Sequence, residues 1–214
     1  MSQFFKQLFI IILILLTGTS FIFGAVLPYR KAKAFVSAMR EIKSSSSMSI
    51  QRLEEIMDYA FSLSSPVGEE EYAKFFASEV VMMLEGEFPE EVKRRLVGYA
   101  EEKIRPVLER EPNSVYPQLL LSLGLMYERL WDSYGNDEDL SRAIGYYERG
   151  NAIAVDKNRP QFLWSLRNTY LKEGNIEKAR ETMEHILSIW PDDKKTREMY
   201  DKLEELLRKA ENGI

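Results

Sequence analysis

Hydrophobic and polar positions divide the chain into two regimes. Residues 7–29 carry no charged side chain, and residues 8–27 read LFIIILILLTGTSFIFGAVL. As a helix rising about 1.5 Å per residue, that run spans the roughly 30 Å hydrocarbon core of a bilayer. The pattern predicts a membrane-spanning helix. A cleavable signal sequence is the competing reading, with an apolar stretch of only about 7–15 residues that ends in small side chains. Gly18-Thr19-Ser20 offers such an end. Phe21-Ile22-Phe23 carry the run past it, however, and only Lys6 precedes it, which favours an uncleaved anchor. Thr17, Gly18, Thr19 and Ser20 are either a small-residue face for another membrane helix or simply tolerated there.

After the anchor a basic stretch leads into Ser44-Ser45-Ser46-Ser47-Met48-Ser49, whose side chains compete with helical hydrogen bonds and favour a flexible linker. The folded body is expected from residue 49 onward. There, apolar residues recur at helical spacing: Leu53, Ile56, Met57, Ala60; Tyr72, Phe75, Phe76, Val80; Val92, Leu96, Ala100, Ile104. Alternating β-branched runs are almost absent, so the body is predicted to be all α. Ser65-Pro66 before Glu69-Glu70-Glu71, and Pro89 before Glu90-Glu91, suit helix starts, because carboxylates favour the positive end of the helix dipole. Pro106 inside an otherwise helical pattern predicts a kink or an early end. Glu111-Pro112-Asn113-Ser114 and Ile189-Trp190-Pro191-Asp192 read as stops.

An internal repeat organises the second half. Residues 117–127, PQLLLSLGLMY, align without gaps on residues 160–170, PQFLWSLRNTY, with six of eleven identical at an offset of 43. Each copy starts with Pro and then places apolar residues at its fourth, seventh and eleventh positions, on one helix face. At these positions the chain resembles the tetratricopeptide repeat, a helix-turn-helix unit of about 34 residues. The last copy has Leu163, Leu166, Tyr170, Gly174, Ala179, Met183, Ile186 and Pro191 where that family has its defining residues, and departs at Arg167, where the family has Gly or Ala. The preceding copy matches at Leu123-Gly124, Tyr127, Ala143 and Tyr147, but sixteen residues separate Tyr127 from Ala143 where the family has nine. The extra residues fall between 129 and 140 and lengthen the unit without removing its two helices. A degenerate unit precedes it, with a first helix over 69–84 and with Ala100, Ile104 and Val107 in its second. Past Pro191, Met199, Leu203 and Leu206, with Tyr200 and Leu207, make one apolar stripe opposite a charged face, as a terminal capping helix needs. The resemblance implies a short right-handed α-solenoid.

A second resemblance covers more of the chain. The anchor's end Leu27-Pro28-Tyr29-Arg30, the segment 57–68 and Asn158-Arg159-Pro160-Gln161 are similar to the C-terminal repeat-bearing extension of bacterial O-antigen ligase and polymerase-like membrane proteins. That likeness implies a bacterial plasma membrane and a polytopic membrane protein as a possible partner. It transfers no activity, because the many membrane helices that carry that family's chemistry have no counterpart here. The chain is thus expected to comprise an anchor over 1–30, a basic juxtamembrane and Ser-rich linker over 31–48, a degenerate helical repeat region over 49–112, two tetratricopeptide-like repeats over 113–191 and a capping helix over 192–214.

Composition sharpens the picture. The formal net charge of −5 conceals six bases and one acid in residues 1–43, which leaves −10 on the rest. A body so acidic, with no basic helix face, excludes nucleic acid, whose binding rests on Lys and Arg displacing counterions. Arg30, Lys31 and Lys33 outweigh Lys6 across the anchor and favour a cytoplasmic body. There is no cysteine, and the single histidine, His185, reads as a helix-surface residue rather than a ligand or base. Glu69-Glu70-Glu71 and Asp137-Glu138-Asp139 lack the spacing of a calcium loop, and no phosphate-binding or hydrolase motif is present. No catalytic residue, metal or cofactor is expected.

What remains is recognition of a protein or peptide. The repeat resemblance implies a concave groove lined by the first helix of each unit: Gln161, Trp164, Asn168, Leu171 and Lys172 in the last copy, and Gln118, Leu121, Leu125, Glu128 and Arg129 in the one before. Trp164 beside Leu171 is either an interface hot spot or a contact to the protein's own additional helix. The expected function is a membrane-anchored, non-catalytic adaptor. The alternative is a detached accessory module of a glycan-assembly system.

Overall fold

The computed structural model describes residues 3–44, 48–110, 116–154 and 160–211. All regular structure among them is helical, and they form two compact units, residues 1–76 and 77–214.

The first unit begins with α1 (Gln3–Phe21), a π-helical turn (Ile22–Val26) and α2 (Leu27–Ser44), which run on as one 42-residue helix. No residue of α1 is buried, although it is almost wholly apolar, and this helix is long and apolar enough to cross a membrane. The π turn has a local cause. Pro28 has no N–H to offer the Gly24 carbonyl four residues earlier, and its ring crowds that carbonyl. The helix widens there, and the Leu27 N–H bonds to the Ile22 oxygen five residues back.

The linker expected over 31–48 is corrected for its first part, since α2 extends to Ser44. Lys31, Phe35, Ala38 and Ile42 recur at helical spacing and are buried, so α2 belongs to the folded body, which therefore starts before residue 49. Residues 45–47 lie outside the described segments. Helix α3 (Ile50–Ser62) packs on α2, and the Ser49 hydroxyl caps it by accepting from the Arg52 N–H at 3.2 Å. The early part of α4 (Glu69–Met83) adds Tyr72 and Phe76 to an aromatic cluster with Phe35 and Phe61, whose ring centroids lie 5.0–6.2 Å apart. Lys31, only 2% exposed, lies against the Tyr72 ring and pairs with Glu69 at 3.2 Å.

In the second unit, α5 (Glu90–Arg110), α6 (Pro117–Tyr134), α7 (Asp137–Ile153), α8 (Pro160–Glu173), α9 (Ile176–Ile189) and α10 (Lys194–Glu211) pack each on the next in chain order. Pro117 and Pro160 open their helices as the repeat predicts, and α9 ends at Ile189 before Pro191. Gly135 and Gly174, at φ 69° and 78°, make the left-handed turns that Asn136 and Asn175 follow as N-caps. The lengthened unit adds residues to both of its helices, with α6 and α7 at 18 and 17 residues where α8 and α9 have 14 each.

Two expectations are revised here. Helix α5 does not end early at Pro106, because Ile104 and Leu108 on either side are buried and hold the backbone helical through the lost hydrogen bond. On α10, Leu203 is buried but Leu206 is 54% exposed, so the apolar stripe is narrower than its spacing suggests. The stop at Glu111-Pro112-Asn113-Ser114 lies outside the described residues.

Candidate protein-binding face

The repeat positions pack as tightly as their small residues require. A Cβ on Gly124 would collide with the Tyr147 ring, and one on Gly150 with the Phe162 ring, so glycine is what lets α6 meet α7 and α7 meet α8. In the last copy Arg167 stands where Gly124 does. It is 2% exposed, donates to the Thr196 hydroxyl of α10 at 2.6 Å and to the Asn168 amide oxygen at 3.1 Å. Burial lowers its pKa, and the nearby Asp193 charge opposes that shift. Asp193 caps α10 by accepting from the Thr196 N–H at 3.1 Å, and the Trp164 indole N–H donates to its other oxygen, also at 3.1 Å. Trp164 and Arg167 are thereby tied to the start of α10, and Asn168 only through Arg167. Of the two readings of Trp164, the internal contact is present, while 40% of the residue stays exposed.

Lys172 has an internal role as well. Its ammonium reaches from α8 to Glu128 on α6 at 2.9 Å and to Asp132, and it sits over the Trp131 ring at 5.2 Å. Burial opposes its charge, but the hydrogen bonds it donates to Asp132 and Glu128 outweigh that cost and raise its pKa. Glu128 also accepts from the Tyr147 hydroxyl at 2.7 Å, which is held protonated chiefly by burial. Arg129 reaches Glu85 at 2.6 Å. Glu128, Arg129, Asn168 and Lys172 are accordingly partnered within the chain. Gln118 and Gln161 are exposed, and Leu121, Leu125 and Leu171 are half-buried. The Lys172–Glu128 pair sets α6 and α8 side by side, which places the two halves of the expected groove together. Beside Trp164 opens a cleft of about 510 Å³ lined by Pro160, Ile189, Trp190, Pro191 and Asp192.

One recurrent device escaped the sequence pattern. The Tyr127 hydroxyl donates to Glu101, Tyr170 to Glu148 at 2.6 Å, and Tyr200 to Glu184 at 2.9 Å, each bond joining a helix to the one before it. In two of the three a cation covers the ring, Arg142 over Tyr127 and Lys178 over Tyr170. A signal was available, since Glu148 and Glu184 each follow their repeat's Ala143 or Ala179 by five residues, and Arg142 and Lys178 each precede that Ala by one. Burial and the bond to Glu101 push Tyr127 up to about 12. For Glu101 itself burial acts to raise the pKa, but the Tyr127 and Tyr146 hydroxyls overcome it and lower it.

His185 is exposed on α9, and no group of three or more His, Cys, Asp or Glu side chains among the described residues is placed to hold a metal ion. Neither a protein-family model nor a curated protein matches the chain.

Proposed function

We propose that this protein is a single-pass membrane-anchored helical-repeat adaptor of tetratricopeptide type, non-catalytic, that binds a protein or peptide on the face shared by α6 and α8. The observation that carries this reading is the side-by-side placement of these helices, with Leu121, Leu125 and Leu171 half-exposed between Gln118 and Gln161 and with Trp164 at the rim of an aromatic cleft. Two tryptophans, two prolines and Ile189 around that cleft suit an extended, largely apolar segment, and Asp192 at its edge suits a base within it. The exposed apolar surface of α1 supports the anchor. For orientation, Arg30 and Lys33 retain their weight in favour of a cytoplasmic body, whereas Lys31 is consumed by Glu69.

Full-length chain in mild detergent, used as bait with and without Trp164→Ala, tests the groove. Loss of the Trp164 ring weakens recovery of the partner by about tenfold or more. An unchanged set of partners removes the face from the proposal. Charge reversal at Lys172 is a poor probe, since it strips Glu128 and Asp132 of their shared cation.

A further inference from the structure

Helices α2 and α3 enclose a groove of about 600 Å³ lined by Arg30, Lys33, Ser37, Glu41, Arg52, Glu55 and Tyr59, among others. Its charges are unevenly used. Arg52 takes both acids, at 2.9 Å to Glu41 and 3.3 Å to Glu55. Arg30 and Lys33 make no hydrogen bond or ion pair to any described residue. One end of the groove is therefore an ion-paired cluster of net charge −1 whose acids are both held by Arg52, and the other carries two bare cations, one helical turn apart.

That cationic end sits next to the apolar helix. Arg30 lies three residues past Leu27 and Lys33 six, or about 4.5 and 9 Å along the axis. The headgroup layer is about 5–8 Å deep on each side of the hydrocarbon. A lysine at its outer edge reaches it by extending its stem. Helix α3 runs back toward the same level, since Phe61 meets Phe35 edge-on at 6.2 Å and Tyr59 lines the groove with Arg30 and Lys33. Tyr29 and Tyr59 are 68% and 61% exposed, and amphipathic rings of this kind settle at the membrane–water boundary.

We infer that this end of the α2–α3 groove binds the phosphodiester headgroup of an anionic phospholipid, with Arg30 and Lys33 donating to the phosphate and Tyr59 and Leu63 against the glycerol backbone. The inference rests on α1 crossing the bilayer. Two cations that pair with neither acid of the groove, placed where a lipid phosphate lies, have charge complementarity with that ligand.

The test is native mass spectrometry of the full-length chain released from nanodiscs of equal phosphatidylglycerol and phosphatidylcholine. The wild type should retain phosphatidylglycerol preferentially, and Arg30→Gln/Lys33→Gln should lower that preference by about tenfold or more. Arg40→Gln, on α2 but outside the groove, should leave it unchanged. Equal retention of the two lipids, a double variant that matches wild type, or an Arg40→Gln variant that loses as much as the double variant would each overturn the inference. Displacement of the lipid by excess inorganic phosphate would assign the groove to a free anion instead and also overturn it. Since neither side chain has a partner to lose, the thermal midpoint of the double variant should equal that of wild type. Alkaline extraction of membranes reads the anchor separately: chain released by carbonate sinks the anchor, and chain retained without lipid preference sinks the groove alone.

Discussion

Gly124 and Arg167 occupy the same place in two copies of one eleven-residue pattern and do opposite things. Gly124 removes its side chain so that the Tyr147 ring can lie on α6, whereas Arg167 extends a guanidinium to Thr196 and so fastens the capping helix. Gly124→Ala should therefore lower the unfolding free energy of the full chain by about 1–3 kcal/mol, the cost of overpacking, as read from denaturant midpoints. An unchanged midpoint would mean that Tyr147 moves away freely. The Tyr127–Glu101 bond gives a pH signature. Tyr127 titrates near 12 in the folded chain, above its ordinary value of 10, so the folded state holds this proton more tightly than the unfolded one. Its contribution is complete below pH 10 and is lost as pH rises to about 12. Thermal midpoints should fall across that window, and Tyr127→Phe should flatten the fall; an equal slope in the variant would place the loss at other tyrosines. That Tyr127 and Tyr170 lie on the packed face of their helices was legible in their spacing. The partner of Arg167 was not, because Thr196 lies 29 residues away on a helix outside the repeat pattern.

Helix starts and stops were legible where the chain writes them in Pro, Gly and Asn, as at Pro117, Gly135-Asn136 and Pro160. Helix α2 was not. Its bases and the Ser run that follows suggest a linker, and the buried spacing of Phe35, Ala38 and Ile42 is short enough to be masked by charge. Nor does composition reveal that Pro28, after an apolar run, widens one turn instead of ending the helix. If α2 is part of the packed body, Phe35→Ala should cost about 3–5 kcal/mol and expose the helix to cleavage after Lys33 and Arg40 in limited trypsinolysis. Cleavage at the wild-type rate would return this stretch to linker. The same reasoning explains the partial legibility of the binding face. Residue types at groove positions follow from the repeat, but which of them the fold consumes depends on α6 meeting α8 and on α10 meeting α8, pairings that no local spacing encodes.

For the whole molecule, the net charge of −10 beyond residue 43 and the apolar, wholly exposed α1 divide one chain into parts of opposite surface chemistry. Tyr–Glu bonds staple α5 to α6, α7 to α8 and α9 to α10 in a stack whose stability accrues neighbour by neighbour, while the α6–α8 face is left with apolar side chains that no described helix covers completely. On this account the stack is a rigid presenter and its anchor sets where the partner is met. The most direct measurement is photo-crosslinking in intact membranes from a benzophenone side chain placed at Gln161. The account predicts one discrete crosslinked partner, lost when Trp164→Ala is added, and no such product from the same probe at exposed Arg197 on α10. No product from Gln161, or equal products from Gln161 and Arg197, would contradict it.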